Sequence, residues 1–203
     1  MPHDPSGPVV VGITGGSGSI YGVRLLERLR ELAVETHLVV TQPGLLTLSQ
    51  ETDWTADQLR DLASEVHPVR NVGASIASGS FRTRGMVVVP CSIKTLSGIA
   101  HSYADNLLVR AADVTLKERR PLVLVVRETP LHLGHLRLMT TAAEIGATIL
   151  PPAPAMYTRP RTVDDIVDHT VGRVLDQLGL DVEMPRWAGT TPSRETTFEG
   201  VPS

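Results

Sequence analysis

The chain has 203 residues, a formal net charge of −3, 41% hydrophobic residues and one cysteine. That length suits one sizeable α/β domain rather than two, and the slight negative charge excludes the polycationic field of a binder of nucleic acid or anionic membrane. A single thiol excludes an intrachain disulfide framework and suits a reducing compartment. No apolar run approaches the ~20 residues of a membrane span, and Met1-Pro2-His3-Asp4-Pro5 lacks the basic start of a signal peptide. The expectation is a cytoplasmic protein with an aliphatic core, since aromatics are only 3% of the chain.

In chain order, residues 9–14 form a β-branched run without alternation, as expected of a strand buried on both faces. A Gly/Ser turn follows over residues 15–19, and residues 21–33 place Val23, Leu26 and Leu29 on one helical stripe. Residues 35–41 read as the next strand, which makes a right-handed βαβ unit. Further parallel strands are predicted at 86–90, 122–127 and 148–150, with helical patterning at 106–119 and 136–145. The stretch 66–81, rich in Ser, Gly and Ala, reads as a long irregular connection. In the last helix Thr162 is the cap, Asp164 and Asp165 suit the positive dipole end, and Val163, Ile166, Val167, Val171, Val174 and Leu178 form the apolar stripe before Gly179 stops it. Residues 1–187 are expected to be one domain, and 188–203 a polar, mobile tail.

A strand that ends in a glycine-rich turn and opens a helix presents backbone N–H groups and a positive dipole end to an anion. Residues 15–19 are such a turn. No Gly-x-Gly-x-x-Gly register fits, Thr41 stands where a dinucleotide site has its acidic ribose ligand, and no Gly-Lys-Ser/Thr follows. The pattern favours a mononucleotide such as FMN over NAD or ATP; a tight turn without a ligand is the alternative. Ser92 and Thr95 follow a buried strand and a proline, and reach the same sheet edge if that strand lies beside the first. Singly, they read as a helix cap and a helix residue.

Arg110 and Lys117 share a helical face, either as a phosphate clamp or as a solvated surface. Arg127 and Glu128 end an apolar strand, where an α/β sheet places reacting groups. Glu51 closes a predicted helix that begins after Thr41, directed at the same cleft or at solvent. Asp164, Asp165 and Asp168 match the Mg²⁺ pattern of all-helical isoprenoid enzymes, but capping and dipole energetics of ~0.3–1 kcal/mol each explain acidic residues in a first helical turn. His132 and His135 lack a third ligand and read as a helix entry. Cys91 reads as a small buried hydrophobe.

Taken together, Gly12-Ile13-Thr14-Gly15-Gly16-Ser17-Gly18-Ser19-Ile20-Tyr21-Gly22, Pro90-Cys91-Ser92-Ile93-Lys94-Thr95, Arg110-Ala111-Ala112-Asp113, residues 116–122 and Arg127-Glu128-Thr129-Pro130-Leu131 closely resemble the UbiX/Pad1 flavin prenyltransferases, over roughly residues 9–187. The resemblance implies a flavodoxin-like Rossmann fold, three-layer αβα with a mostly parallel sheet, assembled as a dodecamer with FMN at subunit interfaces. It implies transfer of a dimethylallyl group from dimethylallyl monophosphate to N5 and C6 of reduced FMN, the prenylated FMN passing to a UbiD-type decarboxylase. It assigns Gly15, Gly16, Ser17, Thr41, Ser92, Ile93, Lys94, Thr95 and Arg127 to FMN. Lys117, Tyr157 and Arg173, with Arg110 nearby, would hold the prenyl phosphate, some of them from a neighbouring subunit. Trp187 would cover the prenyl group, and Glu51 and Glu128 would handle protons, with Ser17 and Lys117 completing the catalytic set.

Allylic C–O cleavage puts charge on the departing phosphate, so preorganised cations bind the transition state more tightly than the ground state. Ring closure at C6 requires loss of a proton, hence a base. No metal is expected, because Lys, Arg and one proton can neutralise a monophosphate. Thr41 stands where many relatives have serine, and Gln42-Pro43 replaces a more usual Lys-Ala. Two other readings remain at this point: an FMN-dependent oxidative decarboxylase of cysteine-containing substrates, for which His37 is poorly placed on a strand, and a non-catalytic flavin carrier.

Overall fold

The computed structural model describes residue 4 and residues 6–189. Six strands, β1 (Val9–Ile13), β2 (Thr36–Val40), β3 (Glu65–Val66), β4 (Gly85–Cys91), β5 (Leu122–Val126) and β6 (Thr148–Ile149), form one sheet in the order β3-β2-β1-β4-β5-β6. Every pairing is parallel. This is the doubly wound Rossmann order, and without the two-residue edge strand β3 the remaining five follow the flavodoxin order.

Helices cover both faces. Val9, Val11, Ile13, Val87, Val89, Val123 and Val125 pack against α1 (Ser19–Glu31), α2 (Gln42–Glu51), α3 (Ala56–Asp61) and, later in the chain, the long C-terminal helix. Val10, Val39, Met86, Val88, Leu122 and Leu124 pack against α4 (Ile93–Ala100), α5 (Leu107–Lys117) and α6 (Leu133–Glu144). Burial from both sides explains why these strands read as unbroken apolar runs, each fully buried Val or Leu contributing ~1.5–3 kcal/mol of transfer free energy. Close packing of α1 on the sheet depends on Gly22, where a Cβ would stand 2.7 Å from the Val89 carbonyl oxygen.

The last helix, α7 (Val163–Gln177), starts in a capping box between Thr162 and Asp165. Val167, Val171, Val174 and Leu178 are buried as expected, but Val163 is 74% exposed. It lies one turn before Val167 on the same face, beyond the reach of the buried cluster. The irregular stretch 66–81 contains one short helical turn, Ser75–Ala77. The short α3, with its Thr55–Gln58 capping box, has no counterpart in the sequence reading. Of the tail expected at 188–203, residues 190–203 lie outside the described residues, and 188–189 have no regular structure. Among the described residues no helix is long and apolar enough to cross a membrane.

Candidate functional site: a cavity at the switch point of the sheet

The chain turns to opposite sides of the sheet after β1 and after β4, and Thr14 bolts these two strand ends together. Thr14 is 1% exposed. Its hydroxyl donates to the Pro90 carbonyl at 2.7 Å and accepts from the Ser92 N–H at 2.8 Å. Ser92, so fixed, caps α4: its hydroxyl oxygen accepts from the Thr95 N–H at 3.4 Å and its O–H donates to the Thr95 hydroxyl at 3.2 Å.

Two more helices begin beside it. Thr41 caps α2, its Oγ1 accepting from the Gly44 N–H at 3.2 Å, and Asn106 caps α5, accepting from the Val109 N–H at 3.1 Å. Thr41, Ser92 and Asn106 all line a cavity of about 760 Å³, together with Gly15, Lys94 and Thr95. That volume lies in the usual range for small-molecule sites, and three helix starts turn their positive ends toward it.

The start of α1 is different. The Gly18 and Ser19 N–H groups donate to one carboxylate oxygen of Glu51 at 2.8 and 3.0 Å. Burial opposes charging Glu51, but hydrogen bonds from Ser17, Ser19 and Gly18 outweigh it and hold the carboxyl below its ordinary value. An internal anion therefore occupies the dipole end that the turn at 15–19 was expected to offer to a ligand. Of the turn, Gly15 lines the cavity, while the Ser17 side chain bonds to Glu51. A Cβ at Gly15 would meet the Pro43 ring at 2.5 Å, so the glycine and the unusual Gln42-Pro43 entry to α2 fit each other.

Arg127 and Glu128 follow β5 directly, and the Arg127 N–H donates to the Cys91 carbonyl at 3.2 Å, beside Ser92. Burial pushes the Tyr21 phenol up, partly offset by a Thr170 hydrogen bond and by the Arg127 charge. Glu128 accepts from the Thr129 N–H at 3.0 Å and is exposed. The same sheet edge thus gathers Gly15, Gly16, Ser17, Thr41, Glu51, Ser92, Ile93, Lys94, Thr95, Arg127 and Glu128.

The cations expected at a second phosphate are not gathered there. Arg110 donates to Asp113 at 2.9 Å and to the Ala77 carbonyl at 3.3 Å. Lys117 pairs with Glu118 at 2.6 Å; it closes α5, ~15 Å along the helix axis from the end that borders the cavity. Arg173 pairs with Asp176 at 2.9 Å on α7. The Tyr157 hydroxyl meets His169 Nε2 at 3.2 Å, and its ring stands edge-on to Trp187 with centroids 5.6 Å apart. Tyr157, Arg173 and Trp187 also stay off the cavity wall within one chain.

The remaining motifs have structural explanations. Asp165 completes the α7 cap, while Asp164 and Asp168 form ion pairs with Arg24 of α1. His132 caps α6, its Nδ1 accepting from the Gly134 N–H at 3.0 Å. Burial pushes the Cys91 thiol up to about 12, which leaves no thiolate at neutral pH. Sequence reasoning missed His101, Tyr103, Asp105 and Asn106 on the cavity wall; only Asn106, as a cap before an apolar helix, carried a usable signal. It also missed Arg120, 6% exposed, which donates to the Gly79 and Phe81 carbonyls, each at 2.7 Å.

The donor set fits FMN: hydroxyls and backbone N–H groups at three helix starts suit a phosphate, and the cavity has room beyond them for a ring system. Fold and cavity together define a doubly wound α/β protein with a mononucleotide-sized site at its switch point. The family model described as Flavoprotein matches residues 2–175. The flavin prenyltransferase UbiX of Escherichia coli (strain K12) is 61% identical over 185 residues, covering 89% of this chain and 98% of that protein. The flavin prenyltransferase UbiX of Archaeoglobus fulgidus is 52% identical over 178 residues, covering 88% and 98%. The crystal structure of AnUbiX in complex with FMN and dimethylallyl pyrophosphate has a TM-score of 0.89 and 46% identity, over 91% of this chain and 98% of that one. The chain belongs to the UbiX/Pad1 family of flavin prenyltransferases. Cypemycin decarboxylase CypD, 19% identical with a TM-score of 0.60, shares the fold alone.

Proposed function

We propose that this protein joins the dimethylallyl group of dimethylallyl monophosphate to N5 and C6 of reduced FMN, the proton displaced from N5 leaving on the departing phosphate, and that a UbiD-type decarboxylase receives the product. The observation that carries this reading is the unequal treatment of four neighbouring helix starts: Glu51 closes one, and three remain open on a single cavity. The reading also rests on family membership and on the FMN and dimethylallyl pyrophosphate bound to the AnUbiX relative.

In this account residues 1–187 act as one flavoprotein domain in the cytoplasm, where the single thiol stays reduced. Reduced FMN, when bound, supplies the electron-rich nitrogen and carbon that the prenyl group joins. Gly15, Gly16, Ser17, Thr41, Ser92, Ile93, Lys94, Thr95 and Arg127 bind and orient it. Lys117, Tyr157, Arg173 and Arg110 hold the prenyl phosphate and stabilise the charge that builds on it as the allylic C–O bond breaks. Because these cations lie off the cavity of their own chain, neighbouring copies supply them within a dodecamer, the assembly named for the FMN-dependent UbiX-like decarboxylase from Escherichia coli O157:H7. Trp187 covers the prenyl group and excludes water. Glu128, exposed beside Arg127, moves a proton at the phosphate, while Glu51, with Ser17, acts on protons at the flavin side.

Purified protein incubated anaerobically with reduced FMN and dimethylallyl monophosphate is expected to yield a flavin heavier by one prenyl unit, read by mass spectrometry. Unmodified FMN from a protein that binds it normally would replace this reading with that of a carrier. A parallel incubation with the pyrophosphate reports which donor is used. Glu128→Gln is expected to slow prenyl transfer without weakening FMN binding.

A further inference from the structure

At the opposite end of β2 from the cavity, four ionisable side chains stand in a row: Glu35, His37, His67 and Glu65. His37 is the second residue of β2, about 13 Å of strand away from Thr41, and His67 follows the edge strand β3. Both imidazoles are buried, at 2% and 6% exposure. Nδ1 of His37 faces Nε2 of His67 at 2.9 Å, with ring centroids 5.1 Å apart and planes inclined by 22°. A centroid separation so much longer than the nitrogen separation means that the rings meet head-on, nitrogen to nitrogen.

The outer nitrogens decide what lies between them. His37 Nε2 is 3.2 Å from the Glu35 carboxylate, and His67 Nδ1 is 3.5 Å from one oxygen of Glu65. An ionised carboxylate only accepts, so the contact with Glu35 puts the His37 hydrogen on Nε2 and leaves His37 Nδ1 as an acceptor facing His67 Nε2. That lone pair can be met by a hydrogen on His67 Nε2 or by a metal ion bound to both rings. The second oxygen of Glu65 is 3.7 Å from His37 Nδ1, and one donor atom from each of His37, Glu65 and His67 lies within 4.8 Å of the others.

We propose that His37 Nδ1, His67 Nε2 and the Glu65 carboxylate form a binding site for a first-row divalent transition metal, Zn²⁺ above all, with Glu35 orienting His37 from outside. Donors bound at ~2.0–2.1 Å to a tetrahedral ion stand ~3.3–3.4 Å apart. The spacings of 2.9 and 3.7 Å bracket that value, so those two edges need shifts of only a few tenths of an ångström. Imidazole with one carboxylate suits zinc, copper or nickel rather than magnesium or calcium, and a carboxylate on the outer imidazole nitrogen is the usual support for such a ligand. The ion takes no part in prenyl transfer; it is a clasp. β3 pairs with β2 at only two positions, His37 with Glu65 and Leu38 with Val66, and the His37 ring also meets Phe81, with centroids 5.1 Å apart. A metal there ties the weak edge of the sheet, and the segment leading to β4, to the core.

The test is a calorimetric titration of the full, chelator-treated protein with ZnSO₄, paired with the visible absorption of the Co²⁺ form. The expected result is one ion per chain, a cobalt spectrum of four-coordinate intensity, and a rise in Tm with added zinc. Glu35→Gln is expected to weaken binding by ~10–100-fold while leaving prenyl transfer unchanged. His67→Gln is expected to abolish binding, its fold checked by circular dichroism. X-ray absorption of the zinc-loaded wild type, expected to show N and O donors including two imidazoles, decides the matter if that variant does not fold. Absence of saturable binding, or binding that persists in folded His67→Gln, for example at the separate pair His132 and His135 at the start of α6, would overturn the proposal. A shared-proton resonance between the two imidazoles in zinc-treated protein would assign the cation as H⁺ and overturn it equally.

Discussion

The cavity wall and the outlying cations obey different rules. Around the cavity, helix caps, strand ends and the Thr14 bolt fix Thr41, Ser92, Thr95 and Asn106 from within one chain, so these groups are oriented before any ligand arrives. Arg110, Lys117 and Arg173 instead make ordinary contacts on helix surfaces, with Asp113, Glu118 and Asp176. Exposed pairs of this kind hold their partners weakly, at ~0–1 kcal/mol, and release them readily to a phosphate. If neighbouring copies supply these cations, as proposed, one half of the site is a property of the fold and the other half a property of the assembly.

The strongest way to sharpen this contrast is to remove a cation and a cavity group separately. Lys117→Met is expected to lower kcat by ~10²–10³-fold, the typical effect of losing one donor to developing charge, with FMN affinity unchanged in a fluorescence titration. Equal loss of flavin binding would place Lys117 in the FMN half and break the division. Thr14→Val acts on the other half: it strands the Ser92 N–H, at a cost of ~1–3 kcal/mol, and leaves the Pro90 carbonyl only its bond from the Thr14 backbone N–H. A fall in Tm and weaker FMN binding are expected, with the turnover of flavin-saturated enzyme little altered.

A smaller effect separates α1 from the other helix starts. Glu51 has its carboxyl held below the ordinary value of 4.5, so its hydrogen bonds to the α1 N–H groups stabilise the fold fully above that pH. The contribution is lost as pH falls through the lowered native value. The Tm of the wild type should therefore exceed that of Glu51→Gln at neutral pH, the gap closing in acid. A gap that widens on acidification would mean that Glu51 is protonated in the native fold. The smallest effect is expected from Asp164→Asn, which removes one ion pair with Arg24: a Tm change of about a degree or two, and no change in prenyl transfer or in its response to Mg²⁺.

The sequence made the sheet legible because double burial writes strands as apolar runs, and it made α7 legible because Thr162, Asp165 and Gly179 punctuate it. The two-residue β3 and the polar α3 have too few apolar residues to show a period. Val163 misled because helical periodicity continues past the point where the neighbouring elements end. Glu51 bonding to Gly18 and Ser19 joins groups 33 and 32 residues apart, and the His37–His67 contact spans 30. Spacing rules built on helices and short loops do not reach such pairs. The cavity residues His101, Tyr103 and Asp105 follow α4 in a segment with no motif, and only the folded chain returns them to Lys94.

The division of the site between copies has one direct test. Thr95→Tyr, expected to block the FMN cavity, and Lys117→Met, expected to disable phosphate departure, are each nearly inactive alone. Co-expressed and purified as mixed oligomers, they are expected to regain prenyl transfer well above either parent, because an intact cavity from one chain then meets an intact lysine from its neighbour. Mixed oligomers no more active than the two parents would show that cavity and cations serve the same chain, contradicting the account.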